Sequence, residues 1–387
     1  MPGLRRFRCN RRNGMSLDEV QRLFPDLDGT IYMNTASLAP GCRPAIEALT
    51  SAAANWARGR LDWLDAEHAG EEARTLFARL INAPADCVAL VPTASAVAGL
   101  VATHLPKRFP QGGNILVSAG EFTSNLFPWR LLEASGFNVR ALPPEGGRVP
   151  DQAFEAAADH KTRLIAVSAV QSATGYRADL GWLRSVADRS GALFYVDAAQ
   201  AAGALPLDID APRIDALAAP SHKFLIGTRG MGYGYFNPAL RDALEPIWAG
   251  WKAASEPLAS FYGPGMVLSA TASRFDMSLA WINALAERQS MRVLHGLGPE
   301  RVQVHNLGVA AHLRQCLQGA DVPFLDHGSE RGSTIFACAP RGDFIAERLN
   351  EAGVIAAVRR GYVRLSLHLY NTAAQVEQVA ALLGGAR

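Results

Sequence analysis

Two apolar runs in the middle of this 387-residue chain end in side chains able to do chemistry. Ala192–Val196 stops at Asp197, with Gln200 three residues later. Ile214–Ala219 stops at Ser221, His222 and Lys223, and a glycine-rich stretch follows. In an α/β protein, functional groups gather just beyond the carboxyl ends of adjacent strands. An acid and a lysine delivered there together suit a cofactor that needs one negative charge and one amine. Pyridoxal 5′-phosphate is such a cofactor: a lysine forms its Schiff base and an acid partners its pyridinium nitrogen. Ser-His-Lys in isolation is ordinary surface sequence. What carries the assignment is Asp-x-x-Gln, then about two dozen residues, then His-Lys and the glycines.

On these residues the chain resembles the class V, fold-type I enzymes that use pyridoxal phosphate, from about Ile31 to the C-terminus. Cysteine desulfurases, kynureninase, isopenicillin N epimerase-like proteins and some aminotransferases share that family. The resemblance implies that Lys223 carries the cofactor, Asp197 partners the ring nitrogen and Gln200 hydrogen-bonds the phenolic oxygen. Thr93, Ala94 and Ser95 follow a predicted strand and open a helix. Its free N–H groups and partial positive charge suit a phosphate, as the family position implies. His222 and Ser221 resemble further phosphate contacts. Phe122, in GEFTSNLFPW (120–129), takes the place that stacks on the ring, where desulfurases carry histidine. Ser172 falls where relatives place a small polar residue near the ring oxygen or substrate carboxylate, with Gln171 as the alternative.

The substrate end is equally specific. VRLSLHLYNT (363–372) matches the family's C-terminal signature, in which Arg364 would grip an α-carboxylate through its planar fork. Asn34, Ala36 and Ser37 resemble the segment that closes over that carboxylate. The substrate is therefore expected to be an amino or keto acid. SufS-like desulfurases insert a loop bearing a persulfide cysteine just before this arginine. Here Arg359–Tyr362 leaves no room for it, and Cys338 reads as core. Many relatives also carry a threonine that reaches the neighbouring subunit's phosphate; Leu279 stands there, so either Ser278 substitutes or the contact is lost. Gly250–Lys252 is placed by the same analogy near a site shared by two subunits.

Elements must position these groups. Strands are expected at 88–91, 114–117, 138–142, 164–168 and 193–196, and helices at 96–104, 126–134 and 180–189. Such alternation argues an α/β fold with a mostly parallel sheet covered by helices. Before it, a capping box at Ser16 and Glu19 opens a short helix over 16–27, and 43–80 is helical in period. After about Ile282 the pattern changes to helices at 284–294, 299–317 and 343–352, strands at 334–337 and 362–366, and a last helix at 372–383. The expected division is 1–30 as tail and short helix, 31–282 as a large cofactor-binding domain, and 283–387 as a small α+β domain.

Composition narrows the class. Hydrophobic residues make up 49% of the chain and the net charge is +2, which fits a folded enzyme with no charge-driven call for nucleic acid. Five scattered cysteines disfavour zinc and disulfide frameworks and fit a reducing cytoplasm. No apolar run approaches the roughly 18 residues that span a bilayer. The arginine-rich start reads as a flexible tail, or as sequence upstream of a true start at Met15. The leading expectation is a lyase acting at Cα and Cβ of an amino acid, in a homodimer. An aminotransferase is the alternative, then an epimerase with Tyr176 or Tyr233 as second base, then a scaffold that has lost catalysis. Kynureninase itself is disfavoured because His222, not tyrosine, precedes Lys223.

Overall fold

The computed structural model describes residues 14–385; the arginine-rich start and Cys9 lie outside them. Its twelve strands are β1 (Ile31–Tyr32), β2 (Val88–Leu90), β3 (Gly113–Ser118), β4 (Phe137–Leu142), β5 (Thr162–Ser168), β6 (Leu193–Asp197), β7 (Ala216–Pro220), β8 (Gly232–Phe236), β9 (Ile335–Pro340), β10 (Val354–Ile355), β11 (Ala357–Arg359) and β12 (Tyr362–Ser366). The helices that matter most are α1 (Leu17–Gln21), α2 (Arg43–Trp56), α3 (Trp63–Leu80) and α4 (Ala94–Arg108).

Seven strands form one sheet in the order β2-β8-β7-β6-β5-β3-β4. All run parallel except β8, which is antiparallel to both of its neighbours. Alternate residues along the strands enter two separate cores: Ile165, Val167, Phe194 and Val196 join one, and Leu164, Ala166, Leu193 and Tyr195 the other. A sheet buried on both faces reads as continuous apolar sequence, and the period-2 split between its faces gives an α/β/α sandwich. The predicted strands and helices of this region are present, except that the helix expected at 126–134 is one α-helical turn, Phe127–Arg130, continued as a 3-10 helix over Leu131–Ser135. The sequence reading missed β8, because GYGYF is glycine-rich and glycine is depleted in strands. The glycine is needed for packing: a Cβ on Gly234 would come within 2.9 Å of Val97 on α4.

Two expectations differ from what is observed. The first helix stops at Gln21, although its capping box forms as expected. Pro25 steers the residue before it away from helical backbone, so the run to 27 fails. The 43–80 segment is two helices, broken between Trp56 and Trp63. Toward the C-terminus, β9, β11 and β12 form an antiparallel sheet whose core also takes in Ile31 and Met33. Strand β1 pairs with β10, so the 31–33 segment joins this sheet's side of the molecule. Among the described residues no helix is long and apolar enough to cross a membrane.

A buried ion pair fixes β2, the strand that delivers the expected phosphate cradle. Arg74 on α3 donates to Asp276 at 2.5 and 3.2 Å and to the Val88 carbonyl at 2.5 Å, while the Leu90 N–H donates to Asp276 at 2.8 Å. Leu279, three residues on, packs against the position of Gly70 on α3 and lies, partly buried, against the main core. Breaking a buried pair strands a charge at a cost of about 3–5 kcal/mol. Asp276→Ala is therefore expected to lower unfolding stability by about 3 kcal/mol, read from the urea midpoint, whereas Arg130→Ala, which breaks an exposed pair, shifts it by under about 1 kcal/mol.

Candidate active site

Every parallel strand of the sheet except β4 sends a functional loop off the same edge. β2 leads to Thr93, β3 to Phe122, β5 to Ser172, β6 to Asp197 and Gln200, and β7 to His222 and Lys223. All of these residues line one cavity of about 560 Å³, together with Ala36, Ser37, Ala94, Ser95 and Arg364. Asn34 lies behind the wall and touches the site through Arg364. Ser221 is the exception. It is fully buried, and its hydroxyl donates to the Thr228 and Met231 carbonyls, so it shapes the lysine loop and does not line the cavity.

Lys223 is the central group. Burial, abetted by Arg364, Arg359 and Arg229, holds its amine down at about 8, with Asp197 pulling the other way. Its Nζ lies 5.5 Å from the centroid of the Phe122 ring, a cation–π distance. An ordinary lysine at pH 8 is neutral in roughly one molecule in three hundred; the lowered value makes the neutral amine far more abundant here. Burial pushes the Asp197 carboxyl up and the Lys223 ammonium draws it back; Asp197 also accepts the Ala199 N–H at 2.8 Å, within a turn that does not continue into a helix. Burial, aided by the cations of Lys223 and Arg229, lowers His222 to about 4, so it is neutral and can accept or donate one hydrogen bond.

Gln200 donates to the Ala36 carbonyl at 3.1 Å, while its other amide atom is buried without a partner. A buried polar atom left unpaired costs about 1–3 kcal/mol, so the arrangement is complete only with a further group in the cavity. At the cavity's opposite wall, Thr93 caps α4 and its hydroxyl lies 3.0 Å from that of Ser95. The first N–H groups of a helix have no intrahelical acceptor, so this end of the cavity is rich in donors. A lysine amine, a buried carboxylate, an unpaired amide and a donor-rich helix end fit pyridoxal 5′-phosphate. Lys223 would hold its aldehyde carbon, Asp197 its ring nitrogen, and Thr93, Ala94, Ser95 and His222 its phosphate.

Arg364 is 2% exposed and has no carboxylate partner among the described residues. Its Nη1 donates to the Ser172 carbonyl at 3.0 Å, and its Nη2 to Ser37 at 2.5 Å and Asn34 at 3.3 Å. Its Nε has no partner. Burial, reinforced by Arg359, lowers its affinity for the proton to about 10. A buried guanidinium held only by neutral oxygens is a receptor for an anion. Ser172 thus acts through its backbone. Gln171 is not an alternative: its amide is spent on the Gly120 carbonyl and the N–H groups of Ala173 and Thr174.

A family model, aminotransferase class-V, matches residues 42–379. The chain belongs to this family. A probable cysteine desulfurase of Methanothermobacter thermautotrophicus is 30% identical over 79% of the chain and 77% of its own length. Isopenicillin N epimerase of Amycolatopsis lactamdurans is 27% identical over 97% of each. The solved complex of the cystine C-S lyase C-DES with cysteine persulfide superposes with a TM-score of 0.84, covering 93% of this chain and 99% of that one at 19% identity. This class V protein is a pyridoxal-phosphate-dependent enzyme with the fold-type I architecture.

Four charged cavity residues escaped the sequence reading as site residues. Glu121 precedes Phe122; burial pushes its carboxyl up to about 7, and it accepts the Ser168 N–H at 2.9 Å and the Ser168 hydroxyl. Arg229, Arg359 and Arg360 also line the cavity; the one signal available was a pair of arginines just ahead of the 363–372 signature. Conversely, Tyr176 bonds to Asp151, Tyr233 donates to Glu287 at 2.8 Å, and Lys252 pairs with Glu67 at 2.6 Å. None of the three lines the cavity. The lysine chemistry has a direct check. Only the neutral amine attacks an aldehyde, so the rate at which apoprotein takes up pyridoxal phosphate, followed by absorbance, should rise with pH and level off above about 8. Lys223→Ala should form no such band.

Proposed function

We propose that this enzyme is a lyase that eliminates a group from Cβ of a cysteine-like amino acid, in which Lys223 is the single proton carrier. The observation that carries this reading is the two-residue turn between β11 and β12, where Arg359 pairs with Tyr362. It leaves no loop that could bring a sulfur-accepting cysteine to the cavity. The described cysteines support it: Cys42, Cys87, Cys316 and Cys338 all lie outside the cavity. Burial pushes the Cys338 thiol up to about 12, far from a reactive thiolate. Phe122 supports it as well, since phenylalanine cannot carry the proton that a histidine there could.

Pyridoxal phosphate, when bound, supplies an electron sink for charge developing at Cα. The chain's own residues do the rest. Arg364, steadied by Asn34, Ser37 and the Ser172 carbonyl, holds the α-carboxylate and so fixes which bond at Cα faces Lys223. Lys223, whose buried amine gives up its proton more readily than an ordinary lysine, takes the Cα proton and can return it to the departing group. Asp197 would keep a positive charge on the ring nitrogen favourable, and Phe122 would offer the ring an apolar face. With neither tyrosine candidate in the cavity, a two-base epimerisation has less support.

The same reading includes a homodimer. Tyr262, Met266 and Val267 are mostly exposed, beside the cluster of Trp63, Trp251, Phe261 and Trp281. Apolar patches of this kind mark interaction surfaces, and sedimentation should give twice the chain mass.

Products distinguish the reactions. With L-cysteine, L-cystine and S-alkyl-L-cysteines, the expected outcome is pyruvate and ammonia in equal amounts without an added keto acid. Activity should survive treatment with iodoacetamide followed by its removal. Arg364→Ala is expected to lower kcat/KM about 100-fold or more, the cost of losing a buried charged contact. A keto acid formed only in the presence of an acceptor would make the enzyme an aminotransferase. Loss of activity on alkylation would restore a persulfide route.

A further inference from the structure

The cavity that holds Lys223 adjoins a second chamber of about 330 Å³, and the two share Gly120, Ala173, Arg359 and Arg360 in their walls. Arg148 lines the far chamber. No aspartate or glutamate lines it, and among the described residues Arg148, Arg359 and Arg360 form no ion pair. Arg360 donates only to the Ala119 carbonyl, at 3.3 Å. Arg359 donates to the neighbouring Val358 carbonyl and to Ser37. The amide of Gln171, the other strong polar group here, is already spent on backbone.

The backbone under Arg360 is unusual. Arg360 and Gly361 form the whole connection between β11 and β12, with φ of +51° and +80°. Two left-handed residues make the tight hairpin turn for which Asn-Gly is preferred. A β-carbon-bearing side chain is disfavoured in the first position. Arginine there carries a conformational cost with no ion pair in return, and it stands where the two chambers meet.

Charge counting points the same way. The catalytic cavity has Lys223, Arg229, Arg359, Arg360 and Arg364 against two carboxyls, Asp197 and Glu121. The α-carboxylate of a substrate is met by Arg364 and the cofactor phosphate by the end of α4. Arg360, with Arg148 beyond it, is left facing a chamber large enough for several heavy atoms. We infer that this chamber is a subsite for a second acidic group, so that the preferred substrate is an amino acid whose side chain ends in a carboxylate. Arg360 and Arg148 are its specificity-determining residues. The inference rests on the function proposed above and narrows its substrate.

Unreactive ligands test it. α-Methyl amino acids lack the Cα hydrogen and so bind without turnover. Dissociation constants would be measured on the holoenzyme, by titrating the cofactor's visible band, for the α-methyl derivatives of L-glutamate and L-2-aminoadipate and of their ω-amides. The expected result is that at least one acid binds about tenfold or more tightly than its amide. Arg360→Gln and Arg148→Gln should bring that ratio toward one, and Arg360→Lys should keep part of it. Acid and amide binding within twofold of each other at both lengths, while 2-aminoisobutyrate shifts the band, would overturn the subsite and leave the proposed function standing. A ratio unchanged in both arginine variants would also overturn it. No shift with any ligand would remove the proposed function and the subsite together.

Discussion

A lysine kept partly neutral by burial is the constraint on which the rest of this structure depends. An amine in water stays protonated; lowering its proton affinity requires taking it out of solvent and placing cations near it. Both are present, and both are expensive. Each cation that depresses Lys223 must itself be held without a carboxylate that would cancel the effect. The site therefore uses neutral acceptors: the Ser172 carbonyl, the Ser37 hydroxyl and the Asn34 amide around Arg364. The acids are confined to Asp197, where a negative charge would partner the ring nitrogen, and Glu121, which burial drives toward the neutral form.

The fold meets this demand through geometry. Parallel strands deliver their following loops to one edge, so residues from positions 93 to 223 converge without long connections. The antiparallel β8 does not add a site loop. It fills the place between β2 and β7, and its glycines let α4 lie close on the sheet. The Arg74–Asp276 pair then locks β2, and with it the helix end that offers donors to a phosphate. The C-terminal sheet supplies the anion receptor from the other side, with the 31–37 segment bridging the two: Ala36 accepts from Gln200 and donates to Ser366.

Much of this was legible in the residues. Asp197, Gln200 and Lys223 sit at strand ends, and the period of apolar residues identified those strands; Arg364 sits in a strand signature specific enough to stand alone. Where local sequence and environment diverged, the reading failed. Ser221 looked like a ligand because it adjoins two ligands, yet the turn needs its hydroxyl for backbone carbonyls. Tyr176 and Tyr233 had the right chemistry but found partners in Asp151 and Glu287. The strand at 232–236 was hidden by glycines whose value lies in what packs on them.

The sequence by itself determined the chemistry: which amine, which acid and which guanidinium are available, and that alternating strands and helices would carry them. Spacing along one chain suffices for that, because a strand's end fixes where its next residues emerge. Tertiary structure alone decided how those groups behave. Proton affinity depends on burial and on charges brought from residues far apart in sequence, as when Arg364 and Arg359 act on Lys223. The open chamber beyond Arg360 likewise exists only because a tight hairpin from the C-terminal sheet meets a loop that follows β5. No local pattern encodes the space between two elements, so that part of the site could be seen only once they were packed.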